Sequence, residues 1–134
     1  MKKFILLLLI CISSFVQSGE IDCDNAINTY EMNVCAKKEM VAADVALNKA
    51  LSQAKDKYAN EAPLLKLLAF SQDAWLIYRK AHCDGVYEKW AGGTIRGVMF
   101  GQCMLSLTEQ RTQNIWSHYL TDMDSSPTLM PEPM

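Results

Sequence analysis

Cysteine placement constrains this chain more than any other feature. Cys23 and Cys35 lie near the start, Cys83 and Cys103 lie further on, and a fifth, Cys11, sits inside an apolar N-terminal run. An even set of cysteines in a short exported chain reads as a covalent framework, whereas intracellular proteins more often commit such residues to metal or catalysis. Four cysteines permit three pairings, and spacing alone does not choose among them. Closing loops of 12 to 20 residues contributes roughly 3 kcal/mol each in the chain-entropy description, a useful addition for a small core.

Export is read from the first 18 residues. Lys2 and Lys3 precede an apolar stretch over residues 4–12, and Ser13, Ser14, Val16 and Ser18 supply the small residues of a cleavage site after Ser18. A membrane-spanning helix needs about 20 apolar residues, so this run reads as a signal peptide, 1–18, that is removed. Cys11 leaves with it, and the bulky Ile10 before it does not suit lipid attachment at that cysteine. Removing 18 residues from 134 leaves 116, enough for one domain with one core. The leader holds two lysines and no acid, so 11 basic residues face 15 acidic ones and the net charge is −4. That balance argues against nucleic acid, which wants a clustered basic face, and is compatible with a cationic partner.

Hydrophobic spacing predicts an all-α fold. Ala36, Met40, Ala43, Leu47, Leu51, Ala54 and Tyr58 recur at three- and four-residue intervals and predict a helix over residues 31–58. Pro63 is placed to begin a second helix, where its missing donor costs nothing. That helix is expected to run to about Cys83, with Asp84 and Gly85 ending it and a short helical piece following over residues 86–90. Its two largely apolar lines, one through Leu68 and Trp75 and the other through Ala69, Leu76 and Cys83, predict a central, heavily packed helix. Gly92 and Gly93 suit a reversal, and Thr94 is placed to cap a third helix from Ile95 to about Tyr119, whose first turns Gly97 and Gly101 weaken. Residues 122–134 contain three of the four prolines and read as a flexible tail, which bounds the domain at 19–121.

Further along, the residues resemble a known family. The segment from Cys23 to Cys35, then Ala43, Asp44, Leu47 and Asn48, resembles the start of the LprI-like lysozyme inhibitor domain. The likeness continues through Gln72, Trp75, Arg79 and Cys83, through Gly92, Gly93 and Thr94, and through Cys103, Thr108, Arg111 and Thr112, in the manner of that family's four-cysteine, YecT-like form. It spans about residues 23–115. The resemblance implies three main antiparallel helices with a short disulfide-tied N-terminal segment, export to the periplasm or beyond, and no catalysis. Some relatives carry only the first two cysteines, which implies pairing of Cys23 with Cys35 and of Cys83 with Cys103.

Individual residues carry two readings. Asp44, Asn48, Gln72, Trp75, Arg79, Thr108 and Arg111 form either a structural polar motif between helices or a binding pair centred on Asp44 and Arg79; hydrogen bonding that offsets desolvation favours structure. His82 and His118 lack the paired spacing of metal ligands, so no metal or cofactor is expected. The cysteines are taken up by the covalent framework, both histidines stand beside structural motif positions, and no pair of converging carboxylates is evident, so no enzyme is expected. The expected partner is a protein, lysozyme by resemblance, with candidate binding residues Glu61, Asp84, Glu88, Gly92, Gly93, Thr94 and Arg96 taken from loop position. The competing readings are an immunity or adaptor protein for another exported effector, and a structural envelope protein.

Overall fold

The computed structural model describes residues 20–121 and 131–133. The expected leader, 1–18, and most of the expected tail lie outside them. A 3-10 turn, η1 (Cys23–Asn25), leads into α1 (Thr29–Lys57), followed by α2 (Ala62–Lys89), α3 (Arg96–Ile115) and a π-helical turn, π1 (Trp116–Leu120). Successive long helices run antiparallel, joined by short connections at residues 58–61 and 90–95, so α1 and α3 run the same way. Among the described residues there is no strand, and no helix is long and apolar enough to cross a membrane.

Local chemistry sets the helix boundaries. Asn28 caps α1: its Oδ1 accepts from the Glu31 N–H at 3.0 Å, while Glu31 Oε2 accepts from the Ile27 N–H at 2.9 Å. Two donors that the helix leaves unpaired are thus satisfied by side chains three residues apart. Lys55 and Lys57 occupy the last turn, where the helix dipole favours positive charge. Pro63 falls in the first turn of α2. At the far end of α2, Gly92 turns the chain with φ of 86°, a left-handed conformation open to glycine and costly for a residue with a Cβ.

The central helix is α3, a departure from what the pattern of α2 suggests. It packs against both α1 and α2, and its close approach to α1 depends on glycine. A Cβ at Gly101 would lie 2.9 Å from Ala36 Cβ, and one at Gly97 would lie 2.1 Å from Asn33 Oδ1. The glycines that weaken α3 as an isolated helix therefore bring it against α1. By contrast α2 buries one line, through Leu68, Trp75, Arg79 and Cys83, and leaves Leu67, Phe70 and Ile77 exposed.

Helix α2 also continues through Asp84 and Gly85 to Lys89 instead of ending near Cys83. A glycine inside a helix costs about 1 kcal/mol relative to alanine, which neighbouring contacts outweigh here. Lys80 pairs with Asp84 one turn along, and Tyr87 packs edge-to-face on Phe100 of α3 with ring centroids 5.9 Å apart. Thr94 does not cap α3; Ile95 occupies that position in a helical conformation, and the Arg96 N–H reaches Gly93 O at 3.4 Å. The third helix stops at Ile115, and the Thr121 N–H then bonds Trp116 O at 3.1 Å across the wider π turn. That turn brings Leu120 into a core of Leu47, Ala50, Leu51, Ala54, Leu68 and Ile115, with Trp75, Trp116 and Tyr119 packed around it.

Candidate functional site

Two disulfides fix the frame. Cys23 bonds Cys35 with Cα atoms 5.5 Å apart, fastening η1 to the first turns of α1. Cys83 bonds Cys103 with Cα atoms 5.7 Å apart, joining α2 to α3 two turns below the 90–95 connection. Both separations sit in the ordinary disulfide range.

The polar residues of the helix interfaces divide into two networks. In the first, Arg79 Nη1 donates to Asp44 Oδ1 at 2.5 Å and to Thr108 Oγ1 at 2.7 Å, and its guanidinium lies 4.7 Å from the centre of the Trp75 ring. Thr108 passes its own hydroxyl proton to Met104 O at 2.7 Å, so α1, α2 and α3 meet in one hydrogen-bonded chain. In the second, Arg111 Nε donates to Gln72 Oε1 at 3.0 Å and Nη2 to Ser71 Oγ at 2.9 Å, while Ser71 donates to Leu68 O at 2.9 Å. Burial lowers the Arg111 pKa from its ordinary value, a small Coulombic contribution from Tyr119 opposing the change. Through Arg79 Nη1 and Arg111 Nε and Nη2, these networks link side chains of neighbouring helices. Bonds of this kind across helix interfaces hold the helices in register. Asn48 stands apart: it is exposed, one turn beyond Asp44, and joins neither network.

The candidate binding residues gather at one end of the bundle, with one exception. Asp84 and Glu88 project from the last turns of α2, Gly92, Gly93 and Thr94 form the exposed turn, and Arg96 opens α3. Glu61 caps the opposite end of α2. At 1.5 Å per residue it stands about 40 Å from Glu88 along the helix, so a single copy does not bring it to the others.

Arg96 is not a free finger. Its guanidinium lies 3.6 Å over the Tyr87 ring and its Nη2 reaches Glu88 Oε1 at 3.2 Å, while Tyr87 rests on Phe100. This stack, with the disulfide beneath it, stiffens the turn and leaves Trp90 and Ile95 partly exposed beside Gly92 and Gly93. Loop position alone did not single out Tyr87, Trp90, Ile95 or Phe100. The signal in the sequence was an aromatic on each side of a Gly-Gly reversal, Tyr87 and Phe100, which meet each other across it.

A separate groove of about 870 Å³ opens between α1 and α3, floored by Ala42, Ala43, Ala46 and Leu105 and edged by Glu39 and Glu109. Residues 131–133 lie along it, and Gln113 Nε2 donates to Glu132 Oε1 at 3.3 Å. Among the described residues its lining includes no histidine or cysteine, and no cluster of three or more metal-ligating side chains occurs elsewhere.

Three helices, two disulfides and the polar networks between the helices define a small disulfide-braced all-helical domain. Residues 23–115 match the family described as Lysozyme inhibitor LprI, and the chain belongs to that family. It is also 32% identical over 121 residues to a protein of Rhizobium meliloti (strain 1021) described as uncharacterized protein R02472, covering 81% of this chain and 87% of that one. No solved structure matches the chain.

Proposed function

We propose that this protein is an exported, non-catalytic binding domain that inhibits lysozyme through the turn between α2 and α3. The observation that carries this reading is the stiffened, exposed turn itself. Arg96, Tyr87 and Phe100 stack beneath it and the Cys83–Cys103 bond ties its base, so little conformational entropy remains to be lost on docking. Asp84 and Glu88 on its flank, within a chain of net negative charge, steer a cationic enzyme, and the projecting turn with Trp90 and Ile95 obstructs the carboxylate-bearing sugar cleft. Family membership supports the choice of enzyme. The apolar leader and the paired cysteines support a periplasmic or secreted location, where such bonds persist.

Titrating the oxidised protein into lysozymes of several types, with cell-wall hydrolysis as the readout, tests the proposal. Expected are a fall in activity, relief by added salt, and about tenfold weaker inhibition for Glu88→Lys in a protein of unchanged helicity. Undiminished hydrolysis by every lysozyme at saturating protein would refute it.

A further inference from the structure

The outward face of α2 is the most anomalous surface of the molecule. A helix at the edge of a bundle normally turns charged residues to water. Here Leu67, Phe70, Ala74, Ile77 and Ala81 are all exposed, with Leu67 at 69%, Phe70 at 72% and Ile77 at 72%. Their spacing alternates three and four, the repeat of a coiled-coil seam, and they lie opposite the line of Leu68, Trp75 and Arg79 that faces the core. Among the described residues nothing else shields this face. A seam of that period fits another helix better than a flat surface or an extended strand.

We propose that α2 pairs antiparallel with α2 of a second copy of this chain. One register satisfies both shape and charge. With Ala74 of one copy level with the partner subunit's Ile77, Phe70 lies level with the partner subunit's Ala81, so a large side chain meets a small one in each of the four central layers. In the same register Asp73, beside the seam, stands across from the partner subunit's Lys80, and the two-fold axis repeats that pair. Shifting the helices by one heptad, so that Phe70 faces the partner subunit's Ala74, sets Asp73 against itself and Lys66 against Lys80; charge therefore selects the first register.

The area is sufficient. An aromatic side chain carries about 150–250 Å², so covering Leu67, Phe70, Ile77 and Tyr78 in both copies, with the alanines between them, removes on the order of 1,000 Å², the lower bound for a specific interface. The pairing also has a structural consequence. It sets the 90–95 turn of one copy beside the 58–61 turn of the other, so that the partner subunit's Glu61 joins Asp84 and Glu88 at each end of the dimer. The proposal stands whether or not lysozyme is the target.

Sedimentation of the oxidised protein over a concentration series up to about 1 mM tests it. A monomer–dimer equilibrium is expected, abolished by Ile77→Glu with unchanged helicity and, at concentrations where both chains are monomeric, unchanged melting, since Ile77 is largely exposed to solvent. Asp73→Lys and Lys80→Asp should each weaken self-association at least about tenfold, and an equimolar mixture of the two variants should restore it as a heterodimer. A protein that stays monomeric throughout overturns the proposal, as does a dimer indifferent to Ile77→Glu. Flotation of the monomer with anionic lipid vesicles, lost in Ile77→Glu, would overturn it in favour of a membrane contact. Loss of lysozyme binding by Ile77→Glu in a chain that never dimerises would overturn it in favour of a target contact.

Discussion

Removing Asp44 should cost more stability than removing its partner Arg79, although the arginine is the larger side chain. The reason is unequal burial: the Arg79 side chain is 11% exposed and that of Asp44 37%. Taking away Asp44 leaves a nearly buried guanidinium with Thr108 and the Trp75 ring as its remaining partners. A buried pair broken on one side costs about 3–5 kcal/mol, and the partial exposure of Asp44 places Asp44→Ala at the lower end, near 3 kcal/mol. Taking away Arg79 leaves a carboxylate that water can reach and a threonine still bonded to Met104 O, so Arg79→Met, which preserves most of the packing volume, should cost about 1–2 kcal/mol. The double variant should cost less than the sum by about 1–2 kcal/mol. Equilibrium urea denaturation with the disulfides intact reads all four corners of the cycle, and Asp44→Ala should lower the melting temperature by about 10–15 °C. Coupling below about 0.5 kcal/mol, or a larger loss for Arg79→Met than for Asp44→Ala, would refute the reasoning.

Two further outcomes follow from the packing. Gly101→Ala should destabilise by about 1–3 kcal/mol, because its Cβ would meet Ala36 Cβ at 2.9 Å; helix propensity alone predicts a gain of about 1 kcal/mol, so the sign of the change in a thermal melt decides which effect wins. Replacing Cys83 and Cys103 together by alanine should cost about 3 kcal/mol and raise amide exchange most in residues 84–96, where the bond closes a loop of sequence separation 20; uniform exchange along α2 would contradict that placement.

Helix existence was legible from periodicity, because α1 carries an uninterrupted line from Ala36 to Ala54 and buries it. Burial of α2 was not legible in the same way. Its apolar residues surround most of the helix, and only the three-dimensional arrangement shows that the Leu68 line faces α3 while the Leu67 line faces water. The centrality of α3 was hidden in Gly97 and Gly101, whose cost to helix propensity is evident in sequence while their benefit appears only against Asn33 and Ala36. Gly85 misled for the related reason that a glycine after an aspartate resembles a stop, and its neighbours hold the helix through side chains that reach across to α3. Within the site, Asp44 and Arg79 could be paired because a buried charge on one helix requires an opposite one nearby. Asn48 shares the helix with Asp44, yet the 40° offset of a four-residue step carries it to the surface. The locking of Arg96 onto Tyr87 joins residues of two helices across a reversal, a contact that no single-helix pattern encodes.

Amide hydrogen exchange of the oxidised protein, with and without saturating lysozyme, probes most directly whether the α2–α3 turn is the surface that engages the enzyme. Protection is expected in residues 86–96, with Leu47, Ala50, Leu51 and Ala54 of α1 unchanged because they are already sealed in the core. Protection confined to α1, or no change at any amide with any lysozyme, would contradict it.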